Sequence, residues 1–298
     1  MVFVFSGQGS QHPGMVADIL REDAGSRRVY ESASEIAGMD VLDLCTSGDP
    51  ASLSRTDLCQ ISVAATSLAW MGLLREHGCH PMAVAGHSLG EYCAACAAGC
   101  MTVEETLRLI WVRGRAMLRC AENVSGFMLA LIGAGIEEVS AMLHGIDDSE
   151  FVYLANHNSS KQVVLAGEDR YLKTAIDVAV GLGARAIPLD VGGAFHTPAM
   201  SEAKEPVAEY LENIPPRDPS VTLFSGLTGK EVCDAAQVAR SLTGGITATV
   251  RWHDIQSSLY KLGADPQVEV GPGRTLNNMA RRDYADLNTC HVSDIVAG

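Results

Sequence analysis

Residues 82–101 read MAVAGHSLGEYCAACAAGCM, and this stretch decides the fold. The apolar run Met82 to Ala85 has the length of a buried strand, and the alanine-rich run after the pentapeptide favours a helix. The pentapeptide between them, Gly86-His87-Ser88-Leu89-Gly90, is a G-x-S-x-G motif at the strand-to-helix turn that a nucleophile elbow requires. The sequence therefore predicts a catalytic Ser88 at a helix N-terminus, where the first amides favour a developing oxyanion.

Alternation of strand and helix continues on both sides of this motif. Val2 to Phe5 is an apolar run of strand length, and the glycine-rich loop Ser6 to Gln11 ends it. Two further strands are predicted downstream, at Val221 to Phe224 and at Gln267 to Val270. An amphipathic helix is indicated after Asp57 by apolar residues every three or four positions, which are Leu58, Ile61, Ala65, Leu68 and Met71. This order is typical of a parallel sheet covered by helices.

The pattern changes after Phe127. Strand, helix, two strands, helix and strand follow one another, which is the βαββαβ order of a ferredoxin-like unit. The predicted elements are Phe127 to Ile132, Ile136 to Leu143, Val152 to Leu154, Gln162 to Ala166, Arg170 to Leu182 and Arg185 to Leu189. We therefore predict an α/β protein whose large domain comprises residues 1–125 and 192–298, with a small ferredoxin-like domain inserted at 126–191. A length of 298 residues agrees with two domains at about 150 residues each.

Thr102 to Glu105 predicts the start of a helix that runs to about Ala121, because Thr and Glu at this spacing form a capping box. At 100° per residue, three arginines fall within an arc of about 40°, a solvated basic stripe. They are Arg108, Arg115 and Arg119. Arg113 lies about 140° from Arg108, among apolar neighbours, so its guanidinium needs an anion.

Composition excludes several classes of function. The formal net charge of −14 opposes nucleic acid or an anionic membrane as a general partner, and an acidic ligand would need a local basic patch. Nine cysteines without a metal-binding spacing favour a reducing cytoplasm, and metal or redox chemistry is not expected. The N-terminus lacks the basic residues of a signal peptide. The apolar stretch Cys93 to Met101 is about half the length that spans a bilayer.

A serine hydroxyl is a weak nucleophile and needs a base within hydrogen-bond reach. Among nine histidines, His196 stands out because it lies in the loop Gly192 to Pro198, at the seam between the predicted domains, where clefts form. Alternatively, His196 is an ordinary loop histidine whose ring nitrogens have hydrogen-bond partners and take no part in catalysis. His87 adjoins Ser88 in sequence, but the turn is expected to direct the two side chains apart.

Five motifs together resemble the malonyl-CoA:acyl carrier protein transacylases and the acyltransferase domains of polyketide synthases. They are Gly7-Gln8-Gly9-Ser10-Gln11, Gly86-His87-Ser88-Leu89-Gly90-Glu91, Val112-Arg113-Gly114, Ala194-Phe195-His196 and Glu269-Val270-Gly271-Pro272-Gly273. The resemblance covers nearly the whole chain. It implies a hydrolase-like large domain with a ferredoxin-like insertion, in agreement with the pattern above.

The resemblance also implies roles for individual residues. Ser88 resembles the acyl-accepting nucleophile, and His196 resembles its base. Arg113 resembles the arginine that pairs with the free malonyl carboxylate, which would supply the anion that its helical position needs. The backbone amides of Gln8 and Leu89 would form the oxyanion hole. Phe195 resembles the aromatic residue that is associated with unbranched malonyl, and Met117 would form part of the pocket wall.

Two positions depart from the family pattern. Ser6 stands where proline is frequent, and the change is expected to affect loop stiffness alone. Gly245 stands seven residues before Trp252, where the family often has a glutamine whose backbone carbonyl orients the histidine. Glycine keeps that carbonyl, so the resemblance still implies this role for Gly245.

The implied reaction moves malonyl from malonyl-CoA, through an acyl-serine, to the phosphopantetheine thiol of an acyl carrier protein, without a metal or cofactor. A monomer is expected. Since carrier proteins are typically acidic, docking needs a basic surface, for which Arg108, Arg115, Arg119, Arg281 and Arg282 are candidates.

Three alternatives stay open: an acyl-thioester hydrolase, a carrier-to-carrier acyltransferase and a noncatalytic docking subunit. Fatty acid and polyketide pathways both use this chemistry.

Overall fold

The computed structural model describes residues 1–17, 19, 24–263 and 265–296. Its strands form two sheets. In chain order they are β1 Val2–Phe5, β2 Ala83–Gly86, β3 Gly126–Ile132, β4 Val152–Ser159, β5 Gln162–Glu168, β6 Arg185–Pro188, β7 Thr222–Phe224, β8 Glu231–Val232, β9 Gln267–Val270 and β10 Thr289–His291. The large sheet has the order β10-β9-β1-β2-β7-β8, and the small sheet has the order β4-β5-β3-β6.

The large sheet is parallel except at one edge, where β8 runs antiparallel to β7. Alternate side chains of β1 point to opposite faces of the sheet and belong to different hydrophobic cores. Phe3 and Phe5 pack into the main core, whereas Val2 and Val4 pack into a second core on the other face. Both faces are therefore covered by helices, as the continuous apolar runs predict. The predicted α/β class is confirmed.

The small sheet is antiparallel throughout. Leu129 and Leu131 point to two helices on one face of the sheet, whereas Met128 and Ala130 join the main core on the other. With those helices the segment has the βαββαβ order of the predicted ferredoxin-like unit. The domain boundaries at 125/126 and 191/192 stay a prediction, and their C-terminal limit at 298 lies outside the described residues.

The helices, also numbered in chain order, are as follows. They are α1 Ala24–Ala37, α2 Val41–Ser47, α3 Pro50–Ser54, α4 Thr56–Glu76, α5 Gly90–Ala97, α6 Val103–Asn123, α7 Ile136–Leu143, α8 Leu172–Gly181, α9 Lys204–Asn213, α10 Ala235–Gly244, α11 Trp252–Leu262, α12 Thr275–Asp283 and α13 Val292–Val296. Short 3₁₀ turns occur at Ser149–Phe151, Asp169–Tyr171 and Pro198–Ala203. The capping box predicted at Thr102 is present at the start of α6, with both of its reciprocal hydrogen bonds.

Two predicted elements were wrong in length. β4 extends to Ser159 rather than ending at Leu154, because its second half is polar and was not interpreted as a strand. That half is buried and pairs with β5 through two irregularities of register. The helix predicted from Arg170 begins instead with a 3₁₀ turn, and α8 starts at Leu172.

One helix is both longer and more extensively apolar than the stretch Cys93 to Met101. By length and composition α4, at Thr56–Glu76, could cross a bilayer, but 94% of its most apolar window is buried inside the protein. It packs against α6 and α1 at the centre of the main core. The helix is buried on every face from Thr56 to Met71, so it is a core element, and the amphipathic character predicted for it was wrong.

Candidate active site

A sharp turn at the end of β2 holds Ser88, and glycines make that turn possible. A Cβ built on Gly86 would lie 2.0 Å from the carbonyl carbon of Gly90. A Cβ built on Gly90 would lie 2.1 Å from the carbonyl oxygen of Phe5, the last residue of the neighbouring strand β1. Ser88 itself has a φ of 51°, in the left-handed region. This is the strained strand-to-helix geometry that the G-x-S-x-G motif predicts.

Ser88 and His196 are in hydrogen-bond contact, with 2.8 Å between Oγ and Nε2. The other ring nitrogen of His196, Nδ1, lies 2.8 Å from the backbone carbonyl oxygen of Gly245. A carbonyl only accepts, so Nδ1 carries the proton, Nε2 is the acceptor and the Ser88 hydroxyl donates. The Gly245 carbonyl occupies the place that a carboxylate takes in a serine–histidine–aspartate triad.

Electrostatics keep this histidine neutral. His196 is 5% exposed, and burial, followed by the charge of Arg113, lowers its pKa to about 3. The hydrogen bond to Gly245 opposes the shift. The free imidazole is therefore available to accept a proton across the physiological range.

Arg113 is 2% exposed and points into the same site, as its helical phase on α6 predicts. Its Nη1 donates to Gln60 Oε1 at 2.6 Å, and its Nη2 donates to Ser88 Oγ at 3.1 Å. The guanidinium also lies 5.2 Å from the centroid of the Tyr92 ring. Its Nε atom has no partner, and within the described ranges no carboxylate oxygen lies within 4.0 Å of the group. Arg113 is thus a buried cation without a protein anion in contact.

A cavity of about 550 Å³ opens over these groups, between the two sheets. The small sheet contributes Met128, Ala130 and Val164 to its wall. Most of the predicted site residues line it, and they are Gln8, Ser88, Arg113, Met117, Phe195 and His196. Leu89 is fully buried as the residue before α5, and Gly245 lies behind His196. The volume is in the range of small-molecule sites.

The cavity also contains polar residues that no sequence motif predicts. Asn156 and Asn158 lie on the half of β4 that was not predicted, and both are buried in its wall. His87 Nε2 lies 2.9 Å from Asn158 Oδ1, and the His87 ring packs edge-on against Trp252. The His87 side chain therefore does point away from Ser88, as predicted. Gln60, the partner of Arg113, was also missed, because it lies in the apolar helix α4.

The Glu269 motif has a structural explanation. Glu269 is fully buried, and its carboxylate accepts from the backbone N–H groups of Leu276 and Asn277 at the start of α12, at 3.0 and 2.9 Å. The Ser6 hydroxyl donates to the same carboxylate at 3.3 Å. Ser6, where the family often has proline, thus adds a hydrogen bond besides changing the stiffness of the loop.

The basic candidates for docking differ in their position. Arg108, Arg115 and Arg119 are exposed on α6, where Arg108 pairs with Glu104 at 2.8 Å. Arg282, on α12, donates to Gln162 Oε1 at 2.9 Å, and Gln162 lines the cavity. Arg282 therefore lies beside the cavity, whereas Arg281 on the same helix donates to the Thr289 carbonyl oxygen at 3.0 Å. In the part of the chain that the structure describes, no group of three or more metal-ligating side chains is present.

The parallel sheet and the serine turn between β2 and α5 define a hydrolase-like α/β protein. Residues 2–297 match the family described as "Acyl transferase domain". The chain belongs to this acyltransferase family.

Similar proteins narrow the class further. The chain is 31% identical to the malonyl CoA-acyl carrier protein transacylase of Haemophilus influenzae, over 99% of this chain and 95% of that protein. It is 33% identical to the enzyme of the same name from Synechocystis, over 98% and 97%. A solved malonyl-transacylase, in complex with its type II PKS acyl-carrier protein, superposes with a TM-score of 0.94 at 30% identity, covering 99% of this chain and 98% of that one.

Proposed function

We propose that the chain transfers a malonyl group from malonyl-CoA to the phosphopantetheine thiol of an acyl carrier protein. The observation that carries the proposal is the meeting of Ser88, His196 and Arg113 in one cavity, a nucleophile, a neutral base and a buried cation without a carboxylate in contact. The names of the similar proteins support the same substrate and acceptor.

In the first half-reaction, Ser88 Oγ attacks the thioester carbonyl while its proton passes to His196 Nε2. The tetrahedral intermediate places a negative charge on the former carbonyl oxygen, and we assign its stabilisation to the backbone amides of Gln8 and Leu89. The C–S bond then breaks, the sulfur takes the proton from His196, and coenzyme A leaves. The Gly245 carbonyl accepts from Nδ1 in both the neutral and the protonated ring, and so keeps Nε2 facing Ser88.

The second half-reaction runs the same steps in reverse with a different thiol. His196 accepts the proton of the phosphopantetheine thiol, the sulfur attacks the malonyl-serine ester, and the proton returns to Ser88 Oγ as the ester bond breaks. The atoms balance with these side chains and the two thioesters alone, so we propose that no cofactor takes part. We also propose that the chain acts as a monomer in the cytoplasm.

Arg113 is assigned the malonyl carboxylate. A guanidinium and a carboxylate form paired hydrogen bonds. In the structure, the two terminal nitrogens of Arg113 donate to the neutral oxygens of Gln60 and Ser88. A carboxylate is a stronger acceptor than either. Phe195 and Met117, which line the cavity, are proposed to enclose the unbranched acyl group.

The buried cation also weighs against the alternatives. A hydrolase for neutral acyl chains, or a carrier-to-carrier enzyme for larger ones, would gain nothing from Arg113 and would leave it unpaired. A noncatalytic docking subunit would not need a serine and a histidine 2.8 Å apart.

The test is mass spectrometry of the intact protein after incubation with malonyl-CoA. A malonyl adduct is expected on the wild-type protein, and Ser88→Ala is expected to abolish it without loss of folding, measured by circular dichroism. Ser54→Ala, which alters another serine of the cavity wall and lies outside the loop that holds Gln8, is the matched comparison and is expected to keep the adduct. An adduct that persists on Ser88→Ala would overturn the assignment of the nucleophile.

A further inference from the structure

Glu91, three residues after Ser88, has a buried carboxylate that takes part in no step of the proposed reaction. It is 5% exposed and lies in the first turn of α5. The Ser241 hydroxyl, at the end of α10, donates to its Oε1 at 2.5 Å. The backbone of Gly226 faces the same carboxylate and lowers its pKa. Both partners are distant in sequence, so the carboxylate joins three segments of the chain.

The fit around Glu91 is close. A Cβ built on Gly226 would lie 2.7 Å from Glu91 Oε2, so this position leaves no room for a side chain. Ser241 also contacts the Ser225 hydroxyl, which accepts from two backbone N–H groups in the following turn. A second tie runs parallel to the first, since Tyr92 donates its hydroxyl proton to the Leu242 carbonyl at 2.7 Å. Two adjacent residues of α5 are thus bonded to two adjacent residues of α10.

The end of α10 is where His196 finds its acceptor. Gly245 caps this helix, donates its N–H to the Ser241 carbonyl at 2.9 Å, and accepts from His196 Nδ1. Its φ of −60° is open to any residue, so the position of its carbonyl is set by the helix end and not by glycine. A closed circuit therefore runs from Ser88 through Glu91, Ser241, Gly245 and His196 back to Ser88.

We propose that Glu91 is a positioning residue, whose carboxylate fixes the end of α10 so that the Gly245 carbonyl keeps His196 in place. The inference rests on the proposed function. Glu91 touches neither His196 nor the acyl group, and acts through Ser241 and Gly245. Glu91 thus attaches the end of α10, which orients His196, to α5, the helix that directly follows the turn holding Ser88.

The proposal has a pH signature. The ionised carboxylate accepts from Ser241, whereas protonation turns one carboxyl oxygen into a donor and changes the hydrogen bonds that fix the end of α10. Burial raises the pKa of Glu91 to about 7, against the hydrogen bonds and the charge of Arg113. Among the described residues, the charged and titratable groups that line the small cavity with Glu91 are Tyr92, Arg113 and His196. The pKa of His196 is lowered to about 3, whereas burial raises the pKa of Glu269 also to about 7, so an acid limb near pH 7 belongs to Glu91 only if a substitution of Glu91 removes it.

The experiment measures the rate of serine acylation by malonyl-CoA in stopped flow, at several substrate concentrations and from pH 5.5 to 8.5. Wild type is expected to accelerate as the pH rises through about 7. Glu91→Gln and Ser241→Ala are expected to lower the saturated rate about 10- to 100-fold, the usual cost of small misplacements, with little change in half-saturating concentration. Glu91→Gln is also expected to lose the acid limb, and Ser241→Thr, which keeps the hydroxyl, is expected to recover most of the rate.

Ser34→Ala is the matched control, because it removes a hydroxyl that bonds Tyr30 and Val41 outside the site. It is expected to lower the melting temperature and to leave the rate and its pH profile unchanged. If Ser241→Ala and Glu91→Gln behave like this control, the positioning role is overturned. If Glu91→Gln does not fold, the comparison of Ser241→Ala with Ser241→Thr decides. A wild-type protein that forms no malonyl-serine would overturn the proposed function instead.

Discussion

Ser88 and His196 meet at 2.8 Å, and each has its backbone in the left-handed region, with φ values of 51° and 62°. Non-glycine residues seldom adopt this conformation, and each costs of the order of 1 to 3 kcal/mol. Both residues are held by close packing, Ser88 between Gly86 and Gly90 and His196 at the seam between the two sheets. The protein thus keeps strain at the two positions that the proposed reaction uses.

The base is tested by His196→Ala. The acylation rate is expected to fall by about 10² to 10⁴, the usual contribution of a positioned general base. The rate is measured by stopped flow with malonyl-CoA. His144 is exposed at the C-terminal end of α7, which packs on the small sheet. His144→Ala is therefore the matched control and should leave the rate unaltered. A His196→Ala rate within a few fold of wild type would move the role to another residue, with His87 the first to examine.

Arg113→Ala tests selection of the malonyl carboxylate. Truncating one member of a buried charge pair costs about 2 to 5 kcal/mol, or roughly 30-fold to several thousandfold in rate discrimination. Wild type is expected to load malonyl far better than acetyl, and the variant is expected to lose that preference. The ratio of initial acylation rates with malonyl-CoA and acetyl-CoA measures it, with a thermal melt for folding. An unchanged ratio would refute the role.

The carrier-protein surface is tested by Arg281→Glu with Arg282→Glu. Because Arg282 contacts the cavity wall through Gln162, the double variant is expected to slow transfer to an acidic carrier protein about 10- to 100-fold at low salt. Self-acylation from malonyl-CoA should change little. Arg119→Glu, at an exposed position of α6, is the comparison and should have a smaller effect. Equal loss of both half-reactions would point to a coenzyme A site or to misfolding.

Gly90→Ala tests the packing of the serine turn. The added Cβ would lie 2.1 Å from the Phe5 carbonyl oxygen and 2.9 Å from that of Ser6, and neither backbone can move without disturbing β1. We expect a loss of about 3 kcal/mol or more in the free energy of unfolding. Gly72→Ala, inside α4 with nothing within 4 Å of its Cβ, is the matched control and should gain about 0.5 to 1 kcal/mol. Urea denaturation measures both, and a Gly90→Ala protein as stable as wild type would contradict the account of the turn.

The sequence by itself determined the local features. The G-x-S-x-G turn, the capping box at Thr102 and the inward phase of Arg113 depend on residues within one or two turns of chain, so spacing alone predicts them. The same holds for the apolar strands of the large sheet. The second half of β4 escaped prediction because its buried polar residues find partners in other segments, as Asn158 does at His87.

Only the tertiary structure decided which distant groups meet. Ser88 and His196 are 108 residues apart, and Glu91 and Ser241 are 150 apart. Gln60 lies in an apolar helix, where no pattern marks it as the partner of Arg113. Such contacts depend on the packing of whole sheets and helices against one another, and the periodicity of a single element carries no record of them. The physical reason is that burial determines which face of a helix or strand carries apolar side chains, and this leaves a periodic pattern in the sequence. The hydrogen-bond partner of a buried polar side chain depends instead on which distant segment packs against that face.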